Sequence, residues 1–170
     1  MPLLPAMDLQ MRLEDGGNAV YLDGVRLGEE IRTSTASHYA SQVSKVPEVR
    51  AFLLETQQSI ARQNNVIMDG RDIGTVILPD ADVKIFLTAS PECRAQRRYK
   101  ELCERGQSVR YEDVLAEMNS RDNADSSREI APTKAADDAV LLDNSDLSLE
   151  ESVAAVIAIA KEKVGGEIRE

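Results

Sequence analysis

The residues best suited to chemistry in this sequence are arginines set beside aspartates at three separate places. In Val66-Ile67-Met68-Asp69-Gly70-Arg71-Asp72-Ile73-Gly74-Thr75 a short apolar run enters a glycine-containing turn that carries an adjacent arginine and aspartate. Open α/β sheets bind ligands beyond the carboxyl ends of their strands, and glycines there let backbone approach a phosphate or a base closely. Further on, Arg121, Asp125 and Arg128 sit at i, i+4 and i+7, extending a helical stripe begun by Val114 and Met118. A core-facing stripe that turns charged points into a cleft. Guanidinium groups recognise phosphate with two parallel hydrogen bonds, and carboxylates accept from hydroxyl and amino groups, so the combination answers the demands of a nucleotide. The alternative is an Arg–Asp–Arg ladder on a solvated face, worth a few tenths of a kcal/mol per pair.

Arg94, Arg97, Arg98 and Arg105 form the third set, within an arc of roughly 100° of one helix. Only Glu101 lies among them, and a polyphosphate reaching that face would relieve their mutual repulsion. An ordinary solvated face is the competing reading.

The elements that must position these groups follow from patterning. Residues 10–14 and 19–22 alternate around Asp15-Gly16-Gly17-Asn18, which predicts a β-hairpin, and Asp23-Gly24 offers a second turn. Helical spacing runs from Gly28 to Val43 and from Pro47 to Gln63, with Val49, Phe52, Leu53, Thr56 and Ile60 along one stripe. Beyond these, strands at Val66–Asp69, Val83–Thr88 and Val140–Asp143 alternate with helices at Pro91–Arg105, Tyr111–Arg128 and Leu149–Val164. Such alternation predicts an α/β fold with a parallel sheet covered by helices. Ser90-Pro91 suits a helix start and Gly106 a helix stop. The last residues, from Gly165 to Glu170, read as a frayed tail.

Composition narrows the partners. A net charge of −10 disfavours nucleic acid polymers and anionic membranes, and 4% aromatic content with no Trp leaves few stacking platforms for single strands. Basic residues are 14 Arg to 6 Lys, a bias toward the forked cation. Cys93 and Cys103 lack a metal-binding spacing, and His38 reads as an ordinary helix residue, so no metal site is expected from side chains of the chain. No signal peptide or membrane-length apolar run is evident, which reads as a soluble, cytoplasmic protein.

At this point the sequence resembles the bacterial cytidylate kinases, nucleoside monophosphate kinases that move the γ-phosphoryl group of ATP onto CMP or dCMP. The resemblance covers nearly every part from Gly24 to Val164. It runs through Gly28-Glu29-Glu30-Ile31-Arg32-Thr33, Ala40-Ser41-Gln42-Val43, Val49-Arg50, Asp69-Gly70-Arg71-Asp72-Ile73-Gly74-Thr75-Val76, Lys84-Ile85-Phe86-Leu87-Thr88-Ala89-Ser90, Arg94-Ala95-Gln96-Arg97-Arg98, Arg121-Asp122, Asp125, Arg128 and Ala131-Pro132. It implies that Ser41, Arg50 and Asp72 recognise the cytosine ring, that Arg121 and Asp125 hold the ribose, and that Arg71 and Arg128 grip the acceptor phosphate. Arg94 and Arg98 would belong to a mobile lid, at about residues 94–112, whose arginines reach the ATP phosphates. Residues 1–63 would form the monophosphate-binding insert and residues 64–170 the remainder of the kinase core. Mg²⁺ and ATP are the implied cofactors, small nucleotides the implied partners, and a monomer the implied state. Phosphoryl transfer is mostly alignment and charge neutralisation, so converging arginines are the expected machinery.

One departure is large. The family's Gly-rich phosphate loop, ending in Gly-Lys, has no counterpart, because no Gly-Lys pair occurs in the sequence. The expectation is a kinase-like sheet lacking its phosphate-loop strand, from a truncated gene model or gene fragment that begins just inside the insert. Val66–Asp69 and Val83–Thr88 would then lack a shared neighbour, leaving exposed sheet edges open to association. The isolated chain would turn over poorly or not at all. A non-catalytic cytidine-nucleotide-binding remnant, or a subunit completed by a separate phosphate-loop segment, is the alternative. A purely structural α/β domain with surface ion pairs is a third.

Overall fold

The computed structural model describes residues 4–14 and 17–165. They divide into two compact units that meet in sequence at Val66 and Ile67.

The first unit is a small sheet with two helices. Strand β1 (Leu9–Glu14) pairs antiparallel with β2 (Gly17–Leu22), Leu9 opposite Leu22 and Glu14 opposite Gly17. Their connecting residues, Asp15 and Gly16, lie outside the described residues. A two-residue turn at Asp23-Gly24 leads into β3 (Val25–Arg26); both turn residues have positive φ, 51° and 78°, as a primed hairpin turn requires. The helical run expected from Gly28 to Val43 is interrupted. A short 3₁₀ turn covers Glu29–Arg32, then Thr33 adopts extended backbone and its hydroxyl accepts from the Ala36 amide, starting α1 (Ser34–Val43) afresh. Helix α2 (Pro47–Gln63) begins with its proline in the first turn, where no amide is needed. Leu53, Thr56 and Ile60 of α2 line one groove with Leu9, Met11 and Val20, so the apolar stripe of the helix meets the hairpin.

The second unit holds a two-stranded parallel sheet, β4 (Ile85–Thr88) with β5 (Val140–Asp143), in register from Ile85–Val140 to Thr88–Asp143. Helices α3 (Pro91–Glu104) and α4 (Tyr111–Ser126) lie between the strands in sequence and pack against each other, with Ala95 and Val114 buried and Tyr99 meeting Tyr111 edge to face at 6.2 Å. Helix α5 (Leu149–Val164) starts in a capping box: the Ser148 hydroxyl accepts from the Glu151 amide, and the Glu151 carboxylate accepts from the Ser148 amide. It ends at Gly165, which takes the left-handed conformation of a helix stop at φ 63°; residues 166–170 of the expected tail lie outside the described residues.

Lys84 ties the sheet to the chain before it. Its ammonium group donates to the Pro79 carbonyl and to both oxygens of Asp138, at 2.9 and 2.7 Å. That ammonium holds the Asp138 carboxyl below the usual range.

The strand expected at Val66–Asp69 is not formed. These residues carry no ladder, and Ile67 is fully exposed. A strand is defined by a neighbour's amides and carbonyls, and no described strand lies beside this run. Two strands also make a narrow platform. Leu87 and Leu141 are both more than half exposed, and the buried apolar residues among those described are Ala19, Ile77, Ala89, Ala95 and Val114.

Candidate functional site

The Arg71-Asp72 segment leads into a single π-helical turn, Ile73–Ile77. The Asp72 carbonyl accepts from the amides of Val76 and Ile77, at 2.9 and 3.3 Å, and the Ile73 carbonyl accepts from the Leu78 amide at 2.7 Å. Asp72 itself is buried. A Cβ on Gly70 would come within 2.8 Å of the Ile73 side chain, so any larger residue there requires Ile73 to shift. The segment therefore delivers Arg71 from a tightly wound loop rather than from a strand end.

At the far end of α4, Asp125 is nearly inaccessible, with a side chain 3% exposed, and three arginines converge on its carboxylate. Oδ2 accepts from Arg71 Nε at 2.9 Å and lies 3.8 Å from Arg121 Nε; Oδ1 accepts from Arg128. Arg121 reaches Asp125 along the helix, one turn away. Arg128 lies beyond the helix, which stops at Ser126 where the Ser126 and Ser127 hydroxyls both turn onto the Asn123 carbonyl. The chain then folds back. Thr133 donates its amide to the Asp125 carbonyl at 2.9 Å, and Ala131, just before Pro132, is forced to φ 53°. A left-handed alanine costs about 1–2 kcal/mol, and pre-proline geometry disfavours it further, so this fold-back is held against local preference. Two buried polar atoms of the same loop, Arg128 Nε and Thr133 Oγ1, have no hydrogen-bond partner.

Three cations on one anion leave two positive charges uncompensated within the cluster. Like charges gathered at one carboxylate repel one another. A dianionic phosphate ester would cancel the surplus and offer acceptors to the unused guanidinium hydrogens.

The arginines of α3 behave differently. Arg94 donates to the Ala89 carbonyl at 3.0 Å and to Asp122 of α4 at 2.6 Å. Arg97 turns the other way, giving hydrogen bonds to Asn144 Oδ1, the Asn144 carbonyl and the Leu147 carbonyl at 3.0, 2.7 and 3.2 Å. Arg98 and Arg105 share Glu101, whose carboxyl Arg98 in particular holds below its usual range. The arc therefore fans out rather than focusing on one point. Asp122 enters the sequence reading only through the Arg121-Asp122 match, with no role given to it, although the charge on Arg94 needs a partner; nothing local marks Asn144 or Thr133.

Ser41 and Arg50 belong to the first unit. Ser41 closes α1, its carbonyl accepting from the Ser44 hydroxyl at 2.9 Å, and Arg50 of α2 donates to the Ser44 carbonyl at 3.5 Å. The two residues are thus held beside the same short connection.

Comparison with known proteins decides the kinship. The cytidylate kinase family profile matches residues 3–162. The chain belongs to the cytidylate kinase family. It is 45% identical over 168 residues to a cytidylate kinase of Caldicellulosiruptor saccharolyticus, covering 99% of this chain and 74% of that protein. A cytidylate kinase of Caldanaerobacter subterraneus is 49% identical over 152 residues, covering 89% and 68%, and one of Flavobacterium johnsoniae is 45% identical over 163 residues, covering 95% and 71%. Membership carries the general character of a nucleotide-binding phosphotransferase. No described helix is long and apolar enough to cross a membrane.

The cytidylate kinase family implies ATP as phosphoryl donor, with Mg²⁺. The sequence has no Gly-Lys pair to end a phosphate loop. No cluster of three metal-ligating side chains occurs among the described residues, and Arg94 and Arg98 already have carboxylate partners.

Proposed function

We propose that this chain carries the acceptor side of a (d)CMP kinase, the site that receives CMP or dCMP before phosphoryl transfer from ATP yields CDP or dCDP and ADP in pyrimidine nucleotide metabolism. The observation that carries the reading is the convergence of Arg71, Arg121 and Arg128 on one buried carboxylate with charge left over for a phosphate. Arg71 and Arg128 grip the 5′-phosphate. Arg121 and Asp125 hold the ribose, and Ser41, Arg50 and Asp72, as the resemblance implies, read the amino and carbonyl edge of cytosine. Polar groups of this kind discriminate strongly, because a wrong base leaves buried donors or acceptors unpaired.

The chemistry assigned to these residues is binding, orientation and charge neutralisation, none of which needs a strong base. The donor side is not built by the described residues, so the polypeptide alone binds the acceptor without appreciable turnover. That same mismatch favours a second reading, a cytidine-nucleotide binder or a subunit that acts only with a separate phosphate-loop segment.

Calorimetric titration with CMP, UMP and AMP tests the proposal. CMP is expected to bind best. AMP binding as well as CMP would remove Ser41, Arg50 and Asp72 as readers of the base, and measurable CDP formation from ATP and CMP by the purified chain would overturn its inactivity alone.

A further inference from the structure

Asp125 is an odd ribose ligand. Its side chain is almost wholly buried, and both carboxylate oxygens are committed to guanidinium groups from three places in the sequence: a wound loop at Arg71, the helix at Arg121, and the folded-back segment at Arg128. Its backbone carbonyl is used too, tying down Thr133. We infer that Asp125 is a positioning residue, which holds the three arginines in a fixed array before nucleotide arrives, so that the array meets a phosphate monoester dianion with its geometry already set. This rests on the acceptor reading above and deepens it, because it gives Asp125, beside its place at the ribose, a task at the phosphate.

The physical argument has two parts. Arginine side chains lose rotamer entropy when they are fixed, and a carboxylate that has already immobilised them removes that cost from the binding step. Three cations would not gather unaided, and one central anion brings them together while leaving a net positive array. The unpartnered Arg128 Nε, buried in this same cluster, is a donor still waiting for an acceptor.

Charge and position make opposite predictions for Asp125→Asn. The substitution raises the positive charge of the cluster by one, so attraction alone would tighten phosphate binding. Loss of the array would weaken it. Titration of CMP and of 2′,3′-dideoxy-CMP into the protein and its Asp125→Asn variant separates the roles. Both nucleotides are expected to lose affinity by a similar factor, roughly ten-fold or more. A loss seen with CMP but not with the dideoxy nucleotide would place Asp125 on the ribose hydroxyls and overturn the inference, as would unchanged or tighter binding. Should the variant fail to fold, side-chain nitrogen NMR of the unsubstituted protein answers the same question. The Nε–H signal of Arg71, which bonds Asp125 directly, is expected to exchange slowly with water before CMP is added; fast exchange that slows only with CMP would overturn the array. Failure of CMP to bind the unsubstituted chain would instead sink the acceptor reading itself.

Discussion

The second unit contains two groups of arginines, and they do opposite things. Those on and just after α3 are drawn to separate places: Arg94 to an aspartate on α4, Arg97 to the turn after β5, Arg98 and Arg105 to a shared glutamate one turn away. Those at Arg71, Arg121 and Arg128 compete for a single buried aspartate. The first arrangement spreads its charge and uses it to fasten elements together. The second gathers three cations at one buried carboxylate. Density of arginine along a helix is therefore a poor guide to a binding site, and what matters is whether the guanidinium groups meet at one point.

The sharpest way to break this comparison is to remove one member from each group. Arg128→Ala should reduce CMP affinity by roughly a hundred-fold, the cost of losing charge-assisted hydrogen bonds to phosphate, as read by calorimetry. Arg97→Ala should leave CMP affinity within about two-fold while lowering stability by about 1–2 kcal/mol, since three carbonyl-type acceptors in the turn after β5 lose their donor; chemical denaturation reads this. If Arg97→Ala abolished CMP binding and Arg128→Ala only destabilised the fold, the two groups would have been assigned in reverse.

A smaller effect sharpens the contrast between structural and ligand-directed charge. Lys84 holds the Asp138 carboxyl below its ordinary value, so the pair contributes above the usual carboxylate range and the contribution is lost as pH falls through the lowered value. Protection of the Val140 amide, which bonds to the Lys84 carbonyl at 2.9 Å, should decline on acidification below about pH 4. In Asp138→Asn this step should vanish. A protection profile with the same acid step in both proteins would show that another group is responsible.

Local signals made much of the fold legible. Helix α2 keeps the bounds set by Pro47 and its apolar stripe, and β5 and α5 also fall where patterning put them. Asp125 is as buried as the Val114–Met118 stripe implies, whereas Arg121 on the same stripe is exposed. What could not be read locally depends on distant partners. Val66–Asp69 has the composition of a strand and no described neighbour to ladder with. The helix expected from Gly28 is restarted by the Thr33 cap, and the one expected to reach Arg128 gives way two residues early to serine hydroxyls. Arg97 looked equivalent to Arg94 and Arg98 by helical angle, yet its direction was decided by the turn after β5, some fifty residues on. Ser41 and Arg50 could be matched by resemblance alone, because nothing in their spacing marks them as readers of a base.

The account stands or falls on the phosphate. Parallel calorimetric titrations of the purified chain with CMP and with cytidine test it most directly, since the two ligands differ only in the group the arginine cluster is held to receive. The account predicts well-defined CMP binding that weakens with added salt and cytidine binding at least about ten-fold weaker. Equal affinity for the two, insensitive to salt, would contradict it.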